Sequence, residues 1–194
     1  MGYLVHAGVI DASAWVPQRR ERLYIVGFHK RIYDRNPVFN FPHPPAAQRP
    51  MFRDILEATP EIKYTLSRKM WQCLKDHAAR HKAKGHGFGF GIAPLAGASR
   101  TLTARYHKDG AEILVERGGG FPRRLTPREC GRLMGFPDKY PIVVSDTQAY
   151  IQFGNAVVPP VVEAVGRQIL RVMALREHKG RVRMWQPRKK DPIR

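Results

Sequence analysis

This 194-residue chain is short of carboxylates relative to its cations, and it has few cysteines. Sixteen Asp and Glu stand against 34 Lys and Arg, a formal charge of +18. So basic a surface attracts phosphates and points towards nucleic acid. Ribosomal and membrane-surface proteins are as basic, so charge alone leaves the partner open. The two cysteines, Cys73 and Cys130, are too few for a disulfide framework and do not form a paired zinc motif. No apolar run approaches the length that spans a bilayer. The opening MGYLVHAGVID has neither a charged leader region nor a cleavage site. The chain therefore reads as soluble and cytoplasmic, with no membrane partner. There is no internal repeat. A hydrophobic content of 43% suffices for a packed core, in one domain or in a small domain joined to part of a larger one.

The first apolar run, Leu23 to Phe28, reads as a strand buried on both faces. Pro37, Pro42, Pro44, Pro45 and Pro50 then mark residues 36–50 as an extended linker and a domain boundary. Ser67 caps a predicted helix that runs to about Lys84 and stops at Gly85. After it, Gly85 to Gly91 alternates glycine with bulky residues and excludes regular helix. Thr101–Tyr106 and Glu112–Glu116, joined through Lys108-Asp109-Gly110, are expected to pair as a hairpin.

The last third is helical. Thr126-Pro127-Arg128-Glu129 combines a capping threonine, a first-turn proline and a capping-box glutamate. Ser145-Asp146-Thr147-Gln148 is a second candidate start, and Gly154-Asn155 reads as a turn between two helices. A final helix is expected to set Val158, Val161, Val162, Val165, Ile169 and Leu170 on one apolar face. The tail from Arg176 is basic and expected to fray.

Three ordered segments resemble the late conserved blocks of DNA cytosine-5 methyltransferases. Val16 to Phe28, containing Gln18-Arg19-Arg20-Glu21-Arg22, is similar to the eighth block. Arg124 to Pro137 is similar to the ninth, and Gln148 to Pro159 to the tenth. The stretch between the eighth and ninth is the family's target-recognition domain. Here its Lys63-Tyr64-Thr65-Leu66, its glycine-aromatic run and its Arg100 to Val115 resemble the Dcm-type enzymes, which methylate the inner cytosine of CC(A/T)GG. The resemblance implies an α/β fold: the carboxy-terminal part of a Rossmann-like S-adenosylmethionine-dependent methyltransferase domain plus a small mixed α+β recognition domain. Residues 1–35 would end the catalytic domain, 36–122 form the recognition domain, 123–175 return to the catalytic domain, and 176–194 form a basic tail.

The resemblance also implies roles. Gln18, Arg20 and Arg22 would border the pocket that receives a flipped cytosine, with Arg20 and Arg22 on DNA. Asn155 and Ala156 would edge a partial S-adenosylmethionine site. Gly87, Phe88 and Gly89 would admit close approach to DNA, with Arg100, Arg105 and Lys108 on phosphates or guanine edges. The early blocks are absent: there is no Phe-x-Gly-x-Gly loop, no Pro-Cys-Gln nucleophile and no Glu-Asn-Val. Ile151 and Ala156 stand where the tenth block often has arginine and serine. The partners implied are double-stranded DNA and a companion amino-terminal methyltransferase fragment. Without one, the chain is expected to be inactive and to expose apolar surface.

Other readings exist. A stand-alone sequence-specific DNA-binding module would keep recognition without catalysis. Lys84 to Phe90 also echoes an RNA-recognition strand, although no partner strand of that motif is visible. Cys73, His77 and His81 share a helix face, but no fourth ligand is specified and no metal is expected.

Overall fold

The computed structural model describes residues 2–33, 36–45, 49–87 and 89–177. The chain opens with two antiparallel strands, β1 (Tyr3–Asp11) and β2 (Glu21–His29), paired from Tyr3↔His29 to Asp11↔Glu21. β1 escaped the sequence reading. Between the strands, Asp11 caps a 3-10 turn over Ala12–Ala14, its carboxylate accepting from the Ser13 and Arg20 amides at 3.0 Å. Alternation gives the hairpin two unlike faces. Ile10, Val26 and Phe28 enter the core. Across the pleat, Val5, Val9, Leu23 and Ile25 are exposed, Leu23 and Ile25 to 61% and 65%. The expectation that β2 is buried on both faces is thus corrected: no described segment covers its outer side.

The proline-rich stretch is draped rather than free. Phe39 is buried against Phe28, with ring centroids 5.8 Å apart, and Phe41 meets Phe39 edge-on at 5.0 Å.

Helix α1 (Arg68–Ala83) forms as expected. Ser67 Oγ accepts from the Met70 amide at 3.2 Å, and Gly85 takes a φ of +71° just beyond the Lys84 cap. α1 packs through Leu74 on Leu66, Ala111 and Leu114, and Trp71 meets Phe90 at 4.7 Å. The glycine run folds back over this helix. A Cβ at Gly89 would fall 2.1 Å from that of Ala78, so Gly89 is needed for contact with protein.

The expected hairpin at 101–116 does not form. Ala104–His107 is instead a 3-10 turn capped by Thr103. The short strand β3 (Leu114–Val115) pairs with β4 (Arg123–Arg124). The turn at Asp109-Gly110 exists: Asp109 accepts from the Ala111 amide, and Gly110 has φ +65°. What overrides the pairing is Tyr106. It is fully buried, donating to the Ile113 carbonyl and accepting from the Leu125 amide, both at 2.7 Å. A tight turn delivers that ring to the core in a way an alternating strand does not.

Helix α2 (Pro127–Leu133) has the complete capping box of Thr126 and Glu129 and ends ahead of Gly135 at φ +82°. Ser145 caps α3 (Asp146–Asn155), accepting from the Gln148 amide. This helix continues through Gly154 and Asn155, so the expected turn there shifts to Ala156. Helix α4 (Pro159–Glu177) buries Val161, Val165 and Val172, with Val158 just before it. Val162 and Leu170, assigned to the apolar face, point outward at 42% and 62% exposure. Among the described residues no helix is long and apolar enough to cross a membrane. The tail beyond Glu177 lies outside the described residues.

Candidate functional site

Pro17 to Arg20 runs alongside Ser99 to Leu102. Ser99 N donates to the Pro17 carbonyl at 2.8 Å, and Arg19 N donates to the Ser99 carbonyl at 2.9 Å. This alignment sinks two polar side chains. Gln18 is fully buried: Nε2 donates to the Leu133 carbonyl at 2.8 Å, and Oε1 accepts from the Leu102 amide at 3.1 Å. Arg20 is 3% exposed. One terminal nitrogen donates to the Leu102 carbonyl at 2.8 Å; the other donates to those of Gly154 and Ala156 at 3.0 and 2.9 Å. Burial, then the charge of Arg22, lowers the pKa of the Arg20 guanidinium. It still carries its proton at any ordinary pH. Its Nε is buried without a partner among the described residues.

One buried hub therefore ties the eighth-block segment to the start of Leu102–His107, the end of α2 and the end of α3. α3 seats tightly there. A Cβ at Gly154 would come within 2.3–2.4 Å of the Thr103–Ala104 backbone, so this position takes glycine. Asn155 then emerges exposed at the last turn, with no side-chain hydrogen bond among the described residues. Ala156 is half-buried and lends its carbonyl to Arg20. Arg22 is exposed on β2, with a single bond to the Glu21 carbonyl at 2.7 Å. Its charge and that of Arg20 lower the phenol pKa of half-buried Tyr24, but burial outweighs them and raises it overall. Arg20, Arg22 and Tyr24 are thus electrostatic neighbours.

The other candidates do not share the hub's side-chain bonds. Gly87 is exposed with open space beyond its Cα, whereas Gly89 faces Ala78; Phe88 lies outside the described residues. Arg100, Arg105 and Lys108 are all exposed.

Sequence reasoning missed a second buried centre. Arg123 donates two 2.7 Å bonds to Glu129, which also accepts from the Thr126 amide at 2.9 Å and the Glu57 amide at 2.8 Å. The capping box announced Glu129; nothing in the sequence announced Arg123 or Glu57 as its partners.

Cys130 is fully buried in α2, and burial, followed by the charge of Glu129, pushes its thiol pKa well up. Cys73 lies exposed on α1. The rings of His77 and His81 stand 4.1 Å apart, yet among the described residues no three His, Cys, Asp or Glu could hold a metal ion.

The fold is similar to those of solved methyltransferases. The structure of S. pombe Dnmt2 methyltransferase overlays 89% of the chain with a TM-score of 0.68 at 18% identity, covering 59% of that protein. A putative DNA modification methyltransferase from an E. coli prophage gives 0.60 at 19% identity, over 89% of this chain and 62% of that one. Residues 1–171 match the C-5 cytosine-specific DNA methylase model, and the chain belongs to that family. Type II methyltransferase M.NlaX of Neisseria lactamica is 47% identical over 170 residues, 87% of this chain and 53% of the relative. The DNA-cytosine methyltransferase of Escherichia coli K12 is 40% identical over 208 residues, 89% of this chain and 43% of the relative. The chain spans about half the length of the curated relatives it matches.

Proposed function

We propose that this chain is the recognition half of a DNA cytosine-5 methyltransferase acting on the inner cytosine of CC(A/T)GG, and that it methylates only when completed by a segment bearing the catalytic cysteine. The observation that carries this is the hub. The segments resembling the three late blocks converge on Gln18 and Arg20, whose five nitrogen and oxygen contacts bind Leu102, Leu133, Gly154 and Ala156 into one rigid rim. Residues 36–122 make the target-recognition domain, and 123–175 return the chain to the catalytic side.

Within the rim the eighth-block residues divide their work. Gln18 and Arg20 hold the backbone of the pocket edge. Arg22 is free to meet a flipped nucleotide, for which a permanent planar cation suits a phosphate or a base oxygen. Asn155 offers an uncommitted amide donor and acceptor at the α3 end, which fits the edge of an S-adenosylmethionine site. These residues do not enclose such a site, so the chain supplies part of it. S-adenosylmethionine would bring the methyl group. Arg100, Arg105, Lys108 and the open Gly87 face the duplex. The bare apolar side of β1 and β2 is where a companion catalytic segment, in the same chain or another, would pack.

The absence of a suitably placed thiol favours one other reading, a stand-alone sequence-specific DNA-binding module. Competition binding tests the shared element. A CC(A/T)GG duplex should displace a bound probe at lower concentration than a scrambled duplex. Equal competition by the two would overturn sequence recognition in both readings.

A further inference from the structure

Among the described residues five cations pair with a carboxylate: Arg53 with Asp54, Lys63 with Glu61 and Asp146, Arg123 with Glu129, Arg132 with Asp138, and Arg167 with Glu163. None of the five lies on α1. The helix and its cap carry Arg68, Lys69, Lys75, Arg80, Lys82 and Lys84, and among the described residues none of these pairs with a carboxylate. The helix's single acid, Asp76, accepts from Gln72 at 2.8 Å.

Packing does not explain this composition. Leu74 is the buried residue of α1. At roughly 100° per residue, Arg68, Lys69 and Arg80 lie on the side away from it. All three are exposed. Helix pairing accounts for only one of these cations, since Asp76 precedes Arg80 by one turn, whereas like charges at i, i+4, such as Arg80 and Lys84, repel. The flank beside the glycine run adds His77, His81 and His86, with ring centroids 4.1 and 6.0 Å apart in sequence. His81 is held below its ordinary pKa, first by desolvation and then by the neighbouring His77, His86, Lys84 and Arg80. A predominantly positive face about 24 Å long at 1.5 Å per residue, with Asp76 its one acid, matches a linear polyanion.

We propose that the outer face of α1, through Arg68, Lys69 and Arg80, is a clamp for the phosphodiester backbone of duplex DNA, setting affinity and register without reading sequence. This rests on the DNA-recognition reading above. It assigns α1 a role separate from the loop and rim residues that would discriminate bases.

The test is fluorescence anisotropy of the full chain with CC(A/T)GG and scrambled duplexes across a salt series, comparing wild type with the R68A/K69A/R80A variant. Each lost phosphate contact should flatten the log affinity against log salt slope by about 0.9, so by up to roughly 3 in total. Both duplexes should weaken alike, leaving their ratio unchanged. The charge-conserving R68K/R80K variant should keep most of the slope, and helical circular dichroism should be unaltered in both. A wild type that binds and a triple variant with the same slope overturn the clamp while leaving DNA recognition standing. A triple variant that loses discrimination at unchanged slope overturns it too. Tighter binding of single-stranded RNA than of duplex DNA, or no binding by wild type, overturns the clamp together with the DNA reading.

Discussion

Arg20 and Arg68 are the same residue type in opposite settings. Arg20 is enclosed, and its two terminal nitrogens are spent on backbone carbonyls from segments more than eighty residues away in sequence. Arg68 stands on the open face of α1 with no carboxylate partner among the described residues. Arg20 is committed to architecture, whereas Arg68 faces solvent or a ligand. A basic composition therefore reports two things at once, and burial separates them.

The sharpest way to break this contrast lies in the buried centre of α2. Glu129→Ala strands Arg123 in the core, and losing one partner of a buried pair costs roughly 3–5 kcal/mol. Urea unfolding should show the midpoint collapsing; a shift of under about 1 kcal/mol would mean the pair is not organising α2. Arg20→Ala comes next. It strips three buried carbonyls of their donor, for a loss of roughly 2–4 kcal/mol. Arg22→Ala, by contrast, should leave the melting temperature within error while weakening duplex binding. Equal melting losses for the two arginine variants would erase the distinction between them.

Smaller effects follow. Ser67→Ala removes the α1 cap and should cost about 1 kcal/mol, confined to the recognition region by hydrogen exchange. Leu23→Lys with Ile25→Lys should change the stability of the isolated chain by no more than about 0.5 kcal/mol, since both are exposed. The same pair should abolish self-association and any docking of a companion segment. Acidity gives the mildest effect. His81 sits below its ordinary pKa in the free chain, and nearby phosphates would raise it. Binding then takes up a proton, so duplex affinity should rise as pH falls through about 6.5. An affinity that falls with acidity would place the phosphates elsewhere.

Much of this was legible in the sequence, for local reasons. Caps at Ser67, Thr126 and Ser145 are short-range chemistry, and each opens a helix where its neighbours said it would. Gln18, Arg20 and Asn155 stood out through ordered block motifs. What stayed hidden was non-local. Tyr106 breaks an expected hairpin because its hydroxyl is claimed by Ile113 and Leu125. Gly89 looked like an opening for DNA and is instead the room that α1 needs at Ala78. The outer side of β2 looked buried because its residues are apolar, yet its cover is not among the described residues. Motif position marked Arg20 for a pocket edge, and only three dimensions show it gripping the carbonyls of Leu102, Gly154 and Ala156.

The central claim is that this chain recognises and helps close a methylation site that another segment must activate. Transfer of label from S-adenosylmethionine to a CC(A/T)GG duplex tests it most directly, with the chain alone and with a companion fragment from a relative carrying the early blocks. The account predicts no transfer by the chain alone and restored transfer in the mixture, lost again with Leu23→Lys and Ile25→Lys. Robust methylation by the isolated chain would contradict it.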